Sequence, residues 1–147
     1  AGSGYSFYSF EGLKTDGNIV LHIESHLFDE PRALKALEKA DVLITVHGQV
    51  DQKDEFVMTG GLHTSLRSEI ERQLEAAGFQ TRPPTEGLMG TDPLNICNRG
   101  NSRQGVQLEV SRKVRDLLRN DRDRLQVFAE AVRRAVGWMT NKEKPSI

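Results

Sequence analysis

The sequence predicts an α/β fold with a mixed, largely parallel sheet and helices on both faces. Short apolar runs rich in β-branched residues alternate with segments whose apolar residues recur every three or four positions. The resulting order is strand, helix, strand, strand, helix, loop, strand, helix, helix, which is typical of α/β proteins. A chain of 147 residues has the usual size of one domain. We therefore expect one domain over residues 1–140 and a polar tail over 141–147.

Two strands and a helix are predicted in the first third of the chain. Residues 19–23 follow Gly17-Asn18 and alternate as a short strand does. Asp29 and Pro31 suit the start of a helix that ends near residue 40. Residues 42–46 are apolar without alternation, which predicts a strand covered on both faces and ending at His47-Gly48.

The remaining elements follow from spacing and from turn residues. Residues 56–58 favour a strand, and residues 62–74 favour a helix that Gly78 stops. Residues 81–105, rich in proline, glycine and asparagine, should be mostly loop. Residues 106–110 favour a strand with Gln107 and Glu109 on one face, and Ser111 can cap the helix that follows. A last helix is predicted over residues 122–138.

Composition argues against several functional classes. The formal net charge is −1, so no long-range positive field attracts nucleic acid. The arginines of the C-terminal third alternate with acidic residues, a pattern more typical of a solvated helix face. No apolar run is long enough to cross a bilayer and no signal peptide is visible. A single cysteine fits a reducing compartment, and we expect a cytoplasmic protein.

His47 and Glu109 are the main candidates for chemistry. Both are placed at or next to the carboxyl end of a predicted strand, where ligands bind in open α/β sheets. His47 can present a ring nitrogen to a metal or substrate, although a structural hydrogen bond at a strand end would explain it equally. Glu109 should be partly buried, which raises the pKa of a carboxyl group toward that of a general base. The alternative for Glu109 is a structural ion pair with an arginine.

Other polar residues are weaker candidates. His22 and His26 are candidates for substrate binding, whereas His63 is expected to be structural. Asn95, Asn98 and Arg99 are polar donors in a glycine-rich loop, where an arginine suits the bidentate binding of a carboxylate. Cys97 favours buried packing because no histidine lies near it in sequence to activate it. The aromatic residues between positions 5 and 10 are more typical of packing than of ligand stacking.

Several separated motifs, in one order, resemble those of the poly-gamma-glutamate hydrolases, which are known from bacteriophages and bacteria. They are Tyr8-Ser9-Phe10-Glu11-Gly12-Leu13-Lys14, Leu21-His22-Ile23, Ile44-Thr45-Val46-His47-Gly48, Gly60-Gly61-Leu62, Asn95-Ile96-Cys97-Asn98-Arg99-Gly100 and Gly105-Val106-Gln107-Leu108-Glu109-Val110-Ser111. The resemblance covers about residues 5–115.

The resemblance implies a zinc-carboxypeptidase-like fold and hydrolysis of gamma-glutamyl amide bonds in a polyanionic peptide substrate. It implies that His47 is a zinc ligand and that Glu109 is the general base. His22, Asn98, Arg99 and Arg112, or else Arg115, would bind substrate carboxylates. The family also takes a histidine and a glutamate as zinc ligands from a segment ahead of the aromatic motif. This sequence lacks that segment, so we expect the chain to be N-terminally incomplete.

These observations support a zinc-dependent hydrolase as the working hypothesis. A non-catalytic module that binds an anionic polymer or peptide is the alternative from another class. A nucleic-acid-associated phage protein is a third hypothesis, for which a steep dependence of binding on salt would be required.

Overall fold

A four-stranded mixed sheet forms the centre of the computed structural model, which describes residues 5–142, with side chains to residue 140. The strands are β1 (Ile44–Gly48), β2 (Val57–Gly60), β3 (Thr81–Arg82) and β4 (Val106–Val110), in the spatial order β1-β4-β2-β3. The pairs β1/β4 and β2/β3 are parallel, and β4/β2 is antiparallel. The prediction of a mixed, largely parallel α/β sheet is therefore confirmed.

Helices in the described residues begin where the sequence offers capping groups. They are α1 (Pro31–Leu37), α2 (Thr64–Ala76), α3 (Arg112–Asn120) and α4 (Arg122–Lys142). The side chain of Glu30 accepts from the Ala33 backbone N–H at the start of α1. Ser111 does the same for Val114 at the start of α3, as predicted. None of these helices combines the length and apolar character needed to cross a bilayer.

The apolar core lies on one face of the sheet. Val106, Leu108 and Val110 alternate along β4 and point to this face. Helices α2 and α4 pack against each other over them. The buried residues that complete this core are Val57, Leu66, Ile70, Leu74, Phe79, Val114, Phe128, Ala131, Ala135 and Met139. Burial of these side chains is the main source of the free energy of folding.

The opposite face of the sheet is polar and is covered by the loop that precedes β4. Gly61, at φ +101°, donates its backbone N–H to the Met89 carbonyl, which holds the loop against β2. At Gly105, a Cβ would collide with the carbonyl oxygen of Cys97. Glycine is therefore needed at both positions for the backbone to approach so closely. The close approach leaves Gln107 and Glu109 buried between loop and sheet.

The predicted strand over residues 19–23 is wrong. Residues Asn18–Leu21 form a 3-10 turn that Gly17 introduces with a left-handed backbone at φ 63°. The side-chain oxygen of Asn18 accepts from the Lys14 backbone N–H, and its amide donates back to the Lys14 carbonyl. These local bonds satisfy the backbone without a partner strand.

Strand β1 also differs from its prediction. It runs to Gly48, so His47 lies inside the strand rather than after it. It forms the edge of the described sheet, and Val46 is 63% exposed instead of covered. At the other end of the chain, Asn141 and Lys142 belong to α4. The rest of the predicted 141–147 tail lies outside the described residues.

Candidate active site

The sheet places His47 and Glu109 side by side. They are directly paired residues of the parallel strands β1 and β4, and neighbouring strands lie about 4.8 Å apart. Paired residues project to the same face of a sheet. The two side chains therefore project from neighbouring positions to the same, polar face of the sheet.

Glu109 is a buried carboxyl group whose pKa is raised by desolvation. Its side chain is 7% exposed, and desolvation raises the pKa to about 7, against a smaller opposing effect from a hydrogen bond with Gln107. The Gln107 amide donates to Oε1 at 3.0 Å. Oε2 accepts no hydrogen bond among the described residues. Among the described residues, Glu109 forms no ion pair with an arginine, which was the structural alternative. A buried carboxyl group with a raised pKa has the properties of a general base.

His47 has a partly buried imidazole whose neutral form is favoured by burial. Burial lowers the pKa of His47, and the nearby His22 lowers it further. Its Nε2 atom is buried and has no hydrogen-bond partner within the described residues; the same holds for the hydroxyl of Thr45, two residues earlier. A buried polar atom without a protein partner is costly unless something else satisfies it. A neutral, unpartnered imidazole nitrogen is what a metal ion binds.

The described residues do not contain a complete metal site. No group of three histidine, cysteine, aspartate or glutamate side chains within them is arranged to hold a metal ion. His47 thus fits as one ligand, whereas a catalytic zinc site takes three protein ligands.

Two residues predicted to bind substrate lie at the rim of this site. His22 is exposed and near enough to His47 to affect its pKa. Arg112 begins α3 just beyond β4, and its Nε pairs with Asp116 at 3.0 Å. The nearby Arg115 donates to the carbonyl oxygens of Val110 and Gln49 at 3.2 and 2.9 Å, which joins the ends of β1 and β4.

Asn98 and Arg99 hold the loop that covers the polar face. The Asn98 amide donates to the Gly90 and Asp92 carbonyl oxygens, and its oxygen accepts from the backbone N–H groups of Leu62 and Gly105. Asn98 is 1% exposed, so it has no free group for substrate. The Nη1 of Arg99 donates to the Phe28 carbonyl at 2.7 Å.

The remaining candidates have structural roles. Cys97 is fully buried, and burial raises the pKa of its thiol to about 12, which makes a thiolate nucleophile inaccessible at neutral pH. His63 caps α2 by accepting from the Leu66 backbone N–H, and His26 pairs with Glu24 at the surface. Sequence reasoning named Asn95 as a polar donor of the loop but did not find its bond to Gln107, nor the role of Gln107, which contacts the catalytic candidate directly. The alternation that put Gln107 on the face of Glu109 was the available signal.

Comparison with known proteins places this site in a family. A model of the poly-gamma-glutamate hydrolase family matches residues 1–132. The SPbeta prophage-derived UPF0714 protein YoqZ of Bacillus subtilis strain 168 is 39% identical over 113 residues, which are 76% of this chain and 41% of YoqZ. UPF0714 protein YmaC of the same strain is 36% identical over 119 residues, or 80% of this chain and 50% of YmaC. The chain thus spans half or less of these relatives.

Solved structures agree with this result. A bacteriophage poly-gamma-glutamate hydrolase superposes with a TM-score of 0.80 at 33% identity, over 89% of this chain and 69% of that one. A zinc-free structure of YndL superposes with a TM-score of 0.78 at 32% identity, over 86% and 68% of the two chains. The fold, the order of the motifs and the family match together establish that this chain belongs to the poly-gamma-glutamate hydrolase family.

Proposed function

We propose that this chain forms the catalytic face of a zinc-dependent hydrolase that cleaves gamma-glutamyl amide bonds in poly-gamma-glutamate. The observation that carries the proposal is the pairing of His47 with Glu109 on one face of the sheet. Family membership and the superposition with a bacteriophage poly-gamma-glutamate hydrolase support the substrate class.

In this proposal, His47 binds the metal and Glu109 transfers the proton. His47 would hold zinc through Nε2, together with ligands from outside the described residues. Zinc, when bound, lowers the pKa of water and polarises a carbonyl group. Glu109 takes a proton from the attacking water on Oε2 and delivers it to the leaving amine. A base with a pKa of about 7 suits both transfers at neutral pH.

Substrate binding would use polar side chains around this face. Each unit of a gamma-linked glutamate chain carries one free carboxylate, so the polymer is a polyanion. Arg112 and His22 are exposed or half-exposed at the rim, and we assign them to these carboxylates. Arg99 is a weaker candidate because the Phe28 carbonyl already occupies one of its amino groups.

Hydrolysis of poly-gamma-glutamate by this protein tests the proposal. We expect a chelator to abolish cleavage and added zinc to restore it. Glu109→Gln should lower kcat by about 100- to 10,000-fold, the usual contribution of a general base. Glu75→Gln is the matched control, since Glu75 is an exposed carboxylate of α2 on the other side of the sheet. Full activity of Glu109→Gln would refute the assignment.

A binding module without catalysis is the second candidate. It is favoured by the lack of a three-residue metal cluster in the described residues. Zinc content separates the two functions, because a hydrolase should carry stoichiometric zinc that His47→Ala removes and His63→Ala leaves in place. A binder should retain poly-gamma-glutamate without zinc and without cleaving it.

A further inference from the structure

Two buried amides, Gln107 and Asn95, form a hydrogen-bonded chain that leads to the catalytic carboxylate. Gln107 is 4% exposed and Asn95 is 7% exposed. Gln107 lies two residues before Glu109 on the same face of β4. Asn95 comes from the covering loop, just ahead of the 3-10 turn Ile96–Asn98. The chain therefore connects the loop to the site.

The hydrogen bonds of this chain have one direction. The backbone N–H of Cys97 donates to Oδ1 of Asn95 at 3.1 Å, which leaves the Asn95 amino group pointing away from the turn. That amino group donates to Oε1 of Gln107 at 2.9 Å. The amino group of Gln107 then donates to Oε1 of Glu109 at 3.0 Å. Because Cys97 can only donate, each amide has a single orientation that satisfies its neighbours.

The direction of these hydrogen bonds matters because the carboxylate of a glutamate rotates easily about its last side-chain bond. The last torsion of a glutamate side chain is broad and roughly two-fold, so an unrestrained carboxylate samples many orientations. The bond from Gln107 restrains Oε1 and leaves Oε2 without a partner among the described residues. A base positioned in this way presents one oxygen to the water it deprotonates.

We propose that Gln107 and Asn95 are positioning residues that orient Glu109 for proton transfer. The inference rests on the proposed function, since it assigns Glu109 the role of base. Asn95 acts through Gln107, and Gln107 acts through Glu109, so neither needs to touch the substrate. The competing explanation is that the two amides only fasten the covering loop to the sheet. That explanation predicts lost stability with unchanged chemistry per folded molecule.

Two substitutions of nearly constant size interrupt the chain at different points. Gln107→Met keeps the length of the side chain but cannot donate to Glu109. Asn95→Asp, when ionised, still accepts from Cys97 but presents an acceptor to Gln107. The Gln107 amino group should then turn toward residue 95 and give up its bonds to Glu109 and to the Leu88 carbonyl. Gln104→Met is the matched control, because Gln104 is exposed on the same segment.

Kinetics of this protein in the presence of zinc test the proposal. We expect each substitution to lower kcat by about 10- to 100-fold, as is usual for groups that orient a catalytic residue, while KM changes less than about two-fold. Asn95→Asp should have no further effect on kcat in the Gln107→Met background, because the connection is already broken. Circular dichroism and thermal unfolding should show that Asn95→Asp remains folded at the assay temperature.

Either of two results overturns the proposal: wild-type kcat in the folded single variants, or additive losses in the double variant. Asn95→Asp keeps the test decisive if Gln107→Met does not fold. Glu109→Gln, measured in parallel, separates this failure from failure of the proposed function. An active Glu109→Gln would refute the proposed function itself. An inactive Glu109→Gln with a fully active Gln107→Met would refute only the positioning role.

Discussion

Glu109 is the proposed base of this site, and its burial has a cost in stability. Glu109 lies beneath the covering loop, and the desolvation that raises its pKa to about 7 also makes its ionised form unfavourable in the folded protein. Two consequences follow, one for the rate and one for the free energy of unfolding.

The rate of hydrolysis should depend on the ionisation of Glu109. A base must be deprotonated, so kcat/KM should fall tenfold per pH unit below the pKa of Glu109, which desolvation raises to about 7 in the zinc-free protein and which a bound zinc ion would lower. An ordinary exposed glutamate would place that fall near its usual pKa of 4.5. Initial rates between pH 4 and 9, with zinc saturating, measure the midpoint. An acidic limb that Glu109→Gln leaves at the same midpoint would show that another group is the base.

The stability effect has the opposite sign to that of a salt-bridged carboxylate. The folded pKa of Glu109 lies above its unfolded value of 4.5, so the folded state binds more protons between these two values and stability falls as pH rises through this range. Loss of the charge in Glu109→Gln should therefore stabilise the zinc-free protein above pH 7, by up to about 3 kcal/mol, and have little effect below pH 4.5. Urea unfolding at pH 4 and pH 8 with chelator measures this. Equal changes at both pH values would contradict it.

At the level of elements, the loop that precedes β4 makes the site a buried one. The loop is held to the sheet by bonds from Asn98 and by glycine positions where the backbone comes close. Without this cover, Gln107 and Glu109 would be in contact with water. The loop should therefore contribute to stability as well as to the properties of the site.

Asn98 should act as a structural residue. Asn98→Ala leaves four backbone groups without their partner, and we expect a loss of about 3 to 5 kcal/mol in the free energy of unfolding. Asn101→Ala is the control, because Asn101 is exposed and makes one long bond of 3.4 Å to Asp41. Denaturant unfolding compares the two. A stable Asn98→Ala with a raised KM would restore the substrate-binding interpretation.

Replacement of glycine should have opposite effects at two positions. Gly105→Ala places a methyl group against the Cys97 carbonyl and should cost about 1 to 3 kcal/mol or more. Gly137→Ala, within α4, meets nothing within 4 Å and should stabilise by about 0.5 to 1 kcal/mol through helix propensity. Thermal unfolding of both variants is sufficient. A stable Gly105→Ala would mean that the loop can withdraw from the sheet.

Across the described part of the molecule, helices α2 and α4 cover the centre of the sheet but leave part of its edge strand β1 exposed. Helices α2 and α4 pack over the core residues of β2 and β4, whereas β1 lies at the edge with Val46 63% exposed. An apolar edge strand with unpaired backbone groups invites association with other chains.

Substitution of one exposed residue of β1 should reduce association between copies of this chain. Val46→Lys adds a charge at an exposed edge position and should reduce concentration-dependent association with little loss of stability. Val106→Lys, in the adjacent strand but fully buried, should unfold the domain. Light scattering together with circular dichroism distinguishes these outcomes. Equal association of Val46→Lys and the unaltered chain would show that this edge is not the contact.

The spacing of apolar and polar residues along the chain was enough to predict several helices and strands and the burial of Glu109. The five residues of β4, the Ser111 cap, the α2 stripe and the burial of Glu109 depend on near neighbours in the chain, whose spacing is visible in the amino-acid order. The turn at residues 18–21 was misread because its hydrogen bonds to Lys14 compete with the alternation of a strand.

The site itself required the folded chain. The alignment of His47 with Glu109, the edge position of β1 and the occupation of Asn98 by four distant backbone groups all depend on strand order and register. A shift of one residue in that register would move one of the two side chains to the other face. Contacts between residues so far apart in the chain leave no periodic trace along it, so only packing in three dimensions brings this acid and this imidazole together.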